Sequence, residues 1–145
     1  MKTSARNCFA GVISQIVTGA VNDEVSIRIG PQDGGASWTV VAVITRGSTA
    51  ALGLADGVAA YALIKASSVI VMVDVDPAKI STRNVFTGVI SHLTPGAVNT
   101  EVVITAHGVD VAAIVTNDSA TRLGLRVGGT ASAAVKASSV IVAVD

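Results

Sequence analysis

Internal repetition is the feature that most limits how this chain can fold. Residues 65–71 (KASSVIV) recur unchanged at 136–142, an offset of 71. Earlier in the chain the offset is 77, because residues 19–22 (GAVN) recur at 96–99. A segment copied in this way is one structural unit repeated, so the 145 residues predict two similar modules.

The two copies differ in length at one place. The first copy holds the sequence GPQDGG at 30–35 where the second holds only AHG at 106–108. A surface hairpin whose turn changed length while its strands stayed explains this difference. Near residue 74 the chain becomes polar, and Pro77 would break a strand there. We therefore predict a first module at 1–74 and a second at 75–145, with a linker at about 74–79.

Each copy has the pattern of a small β-barrel. Five segments of the first copy are rich in β-branched residues or alternate between apolar and polar residues, as strands do: residues 8–16, 21–29, 38–45, 58–65 and 69–73. Residues 48–52 predict one short helix, capped by Ser48 and ended by Gly53. The predicted fold is all-β: two tandem OB-like five-stranded β-barrel modules, each with one short helix.

Composition narrows the classes of function. Half of the residues are apolar, which in so small a chain predicts apolar surface that is buried between subunits. A net charge of zero and 3% aromatic residues argue against a nucleic-acid partner. No apolar run has the length of a membrane span or of a signal peptide, and the single Cys8 fits a reducing compartment. We expect a cytoplasmic protein with no membrane partner.

Catalytic and metal-binding patterns are weak. His92 and His107 are not repeated, and neither has a nucleophile or a metal ligand at a typical spacing. Glu24 and Glu101 are repeated, but one carboxylate per copy is not an acid–base pair. Cys8 aligns with an apolar residue, which predicts a buried, unreactive thiol. We expect no enzyme activity, no catalytic residue, no catalytic cofactor and no site for a bare metal cation.

The polar residues that recur are rich in hydrogen-bond donors. They include Ser4, Arg6, Asn7 and Asn22, the Lys-Ala-Ser-Ser sequence at 65–68, and the equivalents of all of these in the second copy. Donors with nearby cations suit a fully deprotonated oxyanion, whereas monohydrogen phosphate would bring an O–H that meets no acceptor. Two copies of one fold also share structural polar residues, so a purely structural role stays open.

These motifs resemble a known family. The sequences at 2–7 (KTSARN), 19–25 (GAVNDEV), 52–54 (LGL) and 65–70 (KASSVI) are similar to those of the Mop family of molybdate-binding modules, the molbindins, in their two-copy di-Mop form. The resemblance covers both copies. It implies an OB-like barrel per copy, a homotrimer with six modules in total, and molybdate, together with tungstate, as the ligand. It also implies binding at module and subunit interfaces for storage or homeostasis.

The resemblance also implies particular site residues. One type of oxyanion site would be lined by Ser4 and Arg6 with Lys65, Ala66 and Ser67, and its counterpart by Ser81 and Arg83 with Lys136, Ala137 and Ser138. A possible second type would use the turns Ala20, Val21, Asn22 and Ala97, Val98, Asn99. The copies depart from each other where Ala5 becomes Thr82, which leaves open whether they bind equally. A molybdate-responsive sensor acting through a protein partner is the alternative function.

Overall fold

The computed structural model describes residues 1–31 and 36–145, so part of the loop predicted at 30–35 lies outside the described residues. The first copy contains β1 (Asn7–Thr18), β2 (Asn22–Ile29), β3 (Trp38–Thr45), α1 (Arg46–Ala51), β4 (Ala59–Ile64) and β5 (Ile70–Met72). The second contains β6 (Asn84–Pro95), β7 (Asn99–Ala106), β8 (Val109–Thr116), α2 (Asn117–Arg122), β9 (Thr130–Val135) and β10 (Val140–Ala143). Short 3-10 turns span Ala66–Ser68, Pro77–Lys79 and Ala137–Ser139. The five strands and one helix predicted for each copy are confirmed.

The strands form two antiparallel five-stranded sheets, ordered β10-β4-β1-β2-β3 and β5-β9-β6-β7-β8. The first compact unit comprises Met1–Ile64 and Lys136–Asp145, and the second comprises Lys65–Val135. Each unit therefore takes its fifth strand from the other copy. The expectation that each copy builds its barrel from its own five strands was wrong.

Backbone geometry after β4 accounts for this exchange. Lys65 has φ −65° and ψ 130°, and Val69 has φ −85° and ψ 124°, so both residues that flank the 3-10 turn are extended. A tight hairpin back onto β4 would need residues with positive φ at its centre. The chain instead leaves β4, and the first unit fills that edge with Val140, which pairs with Ile64.

Strand alternation sets the core of the first unit. Along β1, Asn7, Phe9 and Ile13 point inward and are 1%, 7% and 1% exposed. Phe9 meets Trp38 edge to face, with ring centroids 5.1 Å apart and planes at 72°. Cys8, between two inward residues, is exposed, so the prediction of a buried thiol was wrong. An apolar neighbourhood in sequence did not reveal which face of the strand the thiol occupies.

The second unit repeats this core. Phe86 and Ile90 occupy the inward positions of β6, and Ala133 of β9 and Ile104 of β7 are fully buried. Phe9, Phe86 and Trp38 are thus all packed inside. The interpretation of the phenylalanines as core residues is confirmed, and neither ring is available as a stacking surface for bases.

Each short helix begins one turn before its predicted cap. The Thr45 hydroxyl accepts a hydrogen bond from the Ser48 N–H at 3.1 Å, so Thr45, not Ser48, is the N-cap. Thr116 caps α2 through Ser119 in the same way. Gly53, with φ 60°, follows the end of α1 as predicted. Among the described residues no helix is long and apolar enough to cross a membrane.

Candidate functional site

The donor-rich motif of the first unit lies at one end of its sheet. Asn7 of β1 pairs with Ile64 of β4, and Ile64 pairs with Val140 of β10. The start of β1, the end of β4 and the start of β10 therefore lie side by side. Residues 4–6 lead into β1, and the turn Ala137–Ser139 leads into β10, so both come to this end of the sheet. They flank β4 at a strand-to-strand span of about 10 Å.

The second unit has the same arrangement. Asn84 of β6 pairs with Val135 of β9, and Ile70 of β5 pairs with Ala134. Residues 81–83 lead into β6, while the turn Ala66–Ser68 leads into β5. The two halves of the motif therefore flank the end of β9. Each unit thus carries one pair of donor-rich segments at one end of its sheet.

The 3-10 turns supply backbone donors. The Ser68 N–H donates to the Lys65 carbonyl at 2.9 Å, and the Val69 N–H donates to the Ala66 carbonyl at 3.3 Å. The equivalent bond from Ser139 to Lys136 is 2.8 Å. A turn of this kind does not use its first N–H groups, here those of Ala66 and Ser67, for internal bonds. Such groups are donors for water or for a ligand.

Cations and hydroxyls of the motif face solvent. The side chains of eight predicted site residues are exposed: Ser4, Arg6, Lys65, Ser67, Ser81, Arg83, Lys136 and Ser138. Ala66 is buried and Ala137 is half-buried, as expected for residues that contribute backbone rather than side chain. These ten residues include no carboxylate. A site made of them would be cationic and rich in hydrogen-bond donors.

The units group these residues differently from the resemblance. Ser4 and Arg6 fall in the first unit together with Lys136, Ala137 and Ser138. Ser81 and Arg83 fall in the second unit together with Lys65, Ala66 and Ser67. The strand exchange causes this, because each exchanged strand carries its 3-10 turn into the sheet that it joins. Predicted site residues that belong to one copy of the sequence therefore do not all belong to the same unit.

The turns predicted as a second type of site lie elsewhere. Residues 20–22 join β1 to β2, at the opposite end of the 12-residue β1 from the first motif. The Gly19 N–H donates to the Asn22 carbonyl at 3.0 Å, and the Arg46 N–H donates to the Val21 carbonyl at 3.1 Å. Val21 is 72% exposed, and its equivalent Val98 is 71% exposed. The structure does not bring these turns to the first motif within a unit.

The buried asparagines serve the fold. The Asn7 Nδ2 donates to the Ile64 carbonyl at 3.2 Å, and Asn7 and Asn84 are 1% and 0% exposed. Asn7 therefore joins the start of β1 to the end of β4, in the structural role that the sequence had left open. Asn7 stands two residues before Phe9, and this spacing of two could have placed it on the inward face.

Thr82, which the sequence marked only as a departure from Ala5 of the first copy, makes two hydrogen bonds to backbone. Its hydroxyl donates to the Val135 carbonyl at 2.6 Å and accepts from the Asn84 N–H at 3.2 Å. Thr82 stands between Ser81 and Arg83. It therefore connects a segment that carries two predicted site residues to the end of β9.

The ionisable groups with shifted pKa values lie outside the donor motif, at Tyr61 and Asp145. The Tyr61 hydroxyl donates to Asp145 Oδ2 at 2.8 Å, which raises the pKa of Tyr61 and lowers the pKa of the Asp145 carboxyl. The Met1 ammonium, 3.2 Å from Asp145 Oδ1, lowers that carboxyl pKa further. Met1 and Asp145 are exposed, and Tyr61 is half-buried. In residues 1–31 and 36–145 no cluster of three or more His, Cys, Asp or Glu side chains could hold a metal ion.

Comparison with known proteins gives consistent matches. The TOBE domain family matches twice, at residues 3–71 and 80–142. The molybdenum-pterin-binding protein MopA of Rhodobacter capsulatus is 41% identical over 144 residues, covering 99% of this chain and 52% of MopA. The molybdenum transport protein ModE of Herbaspirillum seropedicae is 44% identical over 147 residues, covering 100% of this chain and 52% of ModE. The chain thus spans about half the length of these relatives.

A solved structure matches over the full length of both chains. It is the cytoplasmic molybdate-binding protein ModG in a form with molybdate bound, with a TM-score of 0.88 and 40% sequence identity. The two TOBE matches fall on the two sequence copies, and the strand content of both units agrees with this fold. The chain therefore belongs to the TOBE domain family, as a two-copy member of the Mop type of molybdate-binding proteins.

Proposed function

We propose that this protein binds molybdate, and also tungstate, as a cytoplasmic oxyanion store that buffers the supply of the ion. The observation that carries the proposal is the placement of the donor motif. In each unit two segments rich in N–H, hydroxyl and cationic groups flank the same strand end. The similarity to ModG, whose structure holds molybdate, gives the ligand its identity.

The donor set explains which anions the site would accept. Exposed Lys65 and Lys136 offset the charge of a dianion, and the Ser67 and Ser138 hydroxyls with backbone N–H groups donate to its oxygens. Monohydrogen phosphate must place its own O–H against donors, which leaves a hydrogen bond unmade. Sulfate carries no proton but is smaller than molybdate. We expect the site to reject phosphate because of its proton and sulfate because of its smaller size.

Assembly belongs to the same proposal. Ile70 and its equivalent Ile141 are 56% and 62% exposed, and both lie on the outward faces of edge strands. Exposed apolar residues that recur in both copies favour interfaces between copies of the chain. We propose a homotrimer with six modules, in which the oxyanion sites at Ser4, Arg6, Ser81, Arg83 and the two Lys-Ala-Ser turns are completed at interfaces. The turns 20–22 and 97–99 would supply the second type of site.

Calorimetry on the intact protein tests the ligand. Molybdate and tungstate should release heat with saturable binding, and phosphate and sulfate should not. Equal heats for all four anions, or none for any, would reject the proposal.

Lysine variants test the site. Lys65→Ala and Lys136→Ala should each weaken molybdate binding by roughly ten- to a hundredfold, because one charge-assisted contact contributes about 1.5–3 kcal/mol. Lys79→Ala is the matched control, since Lys79 is an exposed lysine of the 3-10 turn Pro77–Lys79, outside the motif. Light scattering should show an unchanged oligomer in all three. Collapse of the oligomer in the first two would make these lysines structural interface residues instead.

A sensor is the second candidate function. The observation that favours it is the match to ModE, in which a sequence like this whole chain makes up about half of a longer protein. A module used in that way transmits ligand occupancy to something else. Capture of a partner from lysate only in the presence of molybdate would favour sensing, whereas identical captures with and without molybdate would favour storage.

A further inference from the structure

The two units hold their donor segments differently, at one position of the repeat. In the second unit the Thr82 hydroxyl donates to the Val135 carbonyl at 2.6 Å and accepts from the Asn84 N–H at 3.2 Å. This hydroxyl is partly buried and spans 53 residues of sequence. It fixes the backbone at a point between Ser81 and Arg83.

The first unit has Ala5 at the equivalent position. Alanine has no hydroxyl, and the Ala5 N–H donates to the Thr3 hydroxyl at 3.1 Å, an exposed bond within one local turn. The carbonyl equivalent to that of Val135 belongs to Ile64, and it accepts from the Asn7 amide at 3.2 Å. That bond fixes the chain only after Arg6, at the first residue of β1. Position 5 of the first unit therefore lacks the hydroxyl that Thr82 uses to reach the neighbouring strand.

We infer that Thr82 is a positioning residue that makes the donor segment of the second unit the tighter oxyanion-binding segment of the two. The inference rests on the proposed function. A segment already fixed in its binding conformation loses less conformational freedom when the ligand arrives, and affinity rises by that saving. Thr82 itself makes no contact with the ligand in this scheme, since both of its bonds go to backbone. Its effect acts through Ser81 and Arg83.

The size of the effect follows from one hydrogen-bonded anchor. A side-chain to backbone bond of this kind corresponds to about a three- to tenfold change in an equilibrium constant. The wild-type protein should therefore show two classes of molybdate site that differ by about this factor. The difference should appear mainly as a less unfavourable entropy of binding at the second unit.

Titration calorimetry with sodium molybdate on the intact protein tests this in two backgrounds. Ser4→Ala weakens the first donor segment so that the second dominates, and Ser81→Ala does the reverse. In the Ser4→Ala background, Thr82→Val should weaken binding about three- to tenfold, and Thr82→Ser, which keeps the hydroxyl, should restore it. In the Ser81→Ala background, Ala5→Thr should strengthen binding by a similar factor, because the new hydroxyl can reach the second lone pair of the Ile64 carbonyl.

The gain at Ala5 keeps the test independent of folding, since a damaged protein does not bind more tightly. Equal affinities for Thr82→Val and Thr82→Ser, or no gain from Ala5→Thr, in a protein that still binds molybdate would overturn the inference and leave the proposed function standing. A wild-type protein that binds no molybdate would overturn both.

Discussion

On the outward face of β1 in the first unit, Ala10 pairs with Tyr61, whereas the equivalent pair in the second unit is Thr87 and Ser132. The Thr87 and Ser132 hydroxyls bond each other at 2.7 Å, while the Tyr61 hydroxyl reaches Asp145. The inward residues next to them have not diverged in this way. Close packing restricts side chains in the core, whereas residues on the other face of the sheet, including the buried Ser132, can change as long as their polar groups find partners.

The hairpin turns show the same freedom. In the first unit Asp23, 3% exposed, accepts from the Gly19 N–H at 3.3 Å. The equivalent Thr100 donates to Asn117 Oδ1 at 2.7 Å, and the Asn117 amide donates to the Gly96 carbonyl at 2.9 Å. Two different side-chain arrangements thus support one backbone turn. What the copies preserve is the satisfaction of backbone groups, and the residue type that provides it varies.

The largest expected difference between the units concerns their paired glycines. A Cβ on Gly88 would meet only backbone: the Thr105 carbonyl oxygen, the Thr105 carbonyl carbon at 2.7 Å and the Ala106 Cα at 3.0 Å. A Cβ on Gly11 would also meet backbone first, at the Arg28 carbonyl oxygen, but its next neighbours are the side-chain atoms Ile29 Cδ1 at 2.7 Å and Ile27 Cγ2 at 2.9 Å, and the Ile29 Cδ1 is the end of a side chain that can turn away. Gly88→Ala should therefore cost about 3 kcal/mol or more of unfolding free energy, and Gly11→Ala about 1–3 kcal/mol. Urea unfolding measures both.

Gly47→Ala is the control for these substitutions. Its nearest neighbour would be the Thr45 hydroxyl at 3.9 Å, and it lies in α1, where alanine is favoured by up to about 1 kcal/mol. It should be neutral or stabilising. Equal losses for Gly88→Ala and Gly11→Ala would contradict the distinction between rigid and movable neighbours.

An intermediate loss of unfolding free energy is expected at the helix N-caps, where both units use the same threonine hydrogen bond. The Thr45 and Thr116 hydroxyls each accept a backbone N–H at 3.1 Å. Thr45→Ala and Thr116→Ala should each cost about 0.5–2 kcal/mol, and the two losses should be similar. Thermal and urea unfolding check this. Ser48→Ala, at the residue predicted from sequence to be the cap, should cost less than Thr45→Ala, and a larger loss would return the cap to Ser48.

The smallest effect is expected at Tyr61, which has no counterpart in the second unit. Its bond lowers the pKa of the Asp145 carboxyl, so its contribution to stability is present above the ordinary pKa of that carboxyl and is lost as pH falls through the lowered value. Because the Asp145 carboxyl is exposed and Tyr61 is only half-buried, Tyr61→Phe should leave the midpoint of thermal unfolding at pH 7 unchanged within error. A scan from pH 7 to pH 3 should show a slightly shallower acid loss. A loss at pH 7 as large as that of Thr45→Ala would contradict this.

Most of the secondary structure could be predicted from the sequence because strand alternation and glycine positions are local signals. The strands of both copies, the end of α1 at Gly53 and the buried Phe9 and Phe86 all follow from residues close in sequence. The prediction assigned Cys8 to the buried face of β1 instead of the exposed face, and it placed the N-cap of α1 three residues too late. Errors of this size decide which face a side chain occupies, since a strand alternates at every residue.

The exchange of the fifth strands could not be predicted from pattern. Residues 65–71 and 136–142 are identical, so either strand offers the same side chains to either sheet. The choice depends on the path of the chain after Ile64, where Lys65 and Val69 stay extended. This also decides which Lys-Ala-Ser turn accompanies Ser4 and Arg6 in one unit. The donor residues were thus predicted from sequence, while their grouping within a unit required the fold.

The exchanged strands also have a consequence for how the chain unfolds. Each sheet has five strands, and one of them is covalently part of the other copy. Unfolding of either sequence copy removes an edge strand from the sheet that stays behind. We therefore expect both units to melt in one cooperative transition. Proteolytic cleavage near Pro77 would give two fragments, each with a strand in the other fragment's sheet. These fragments should stay associated under native conditions and separate only in denaturant.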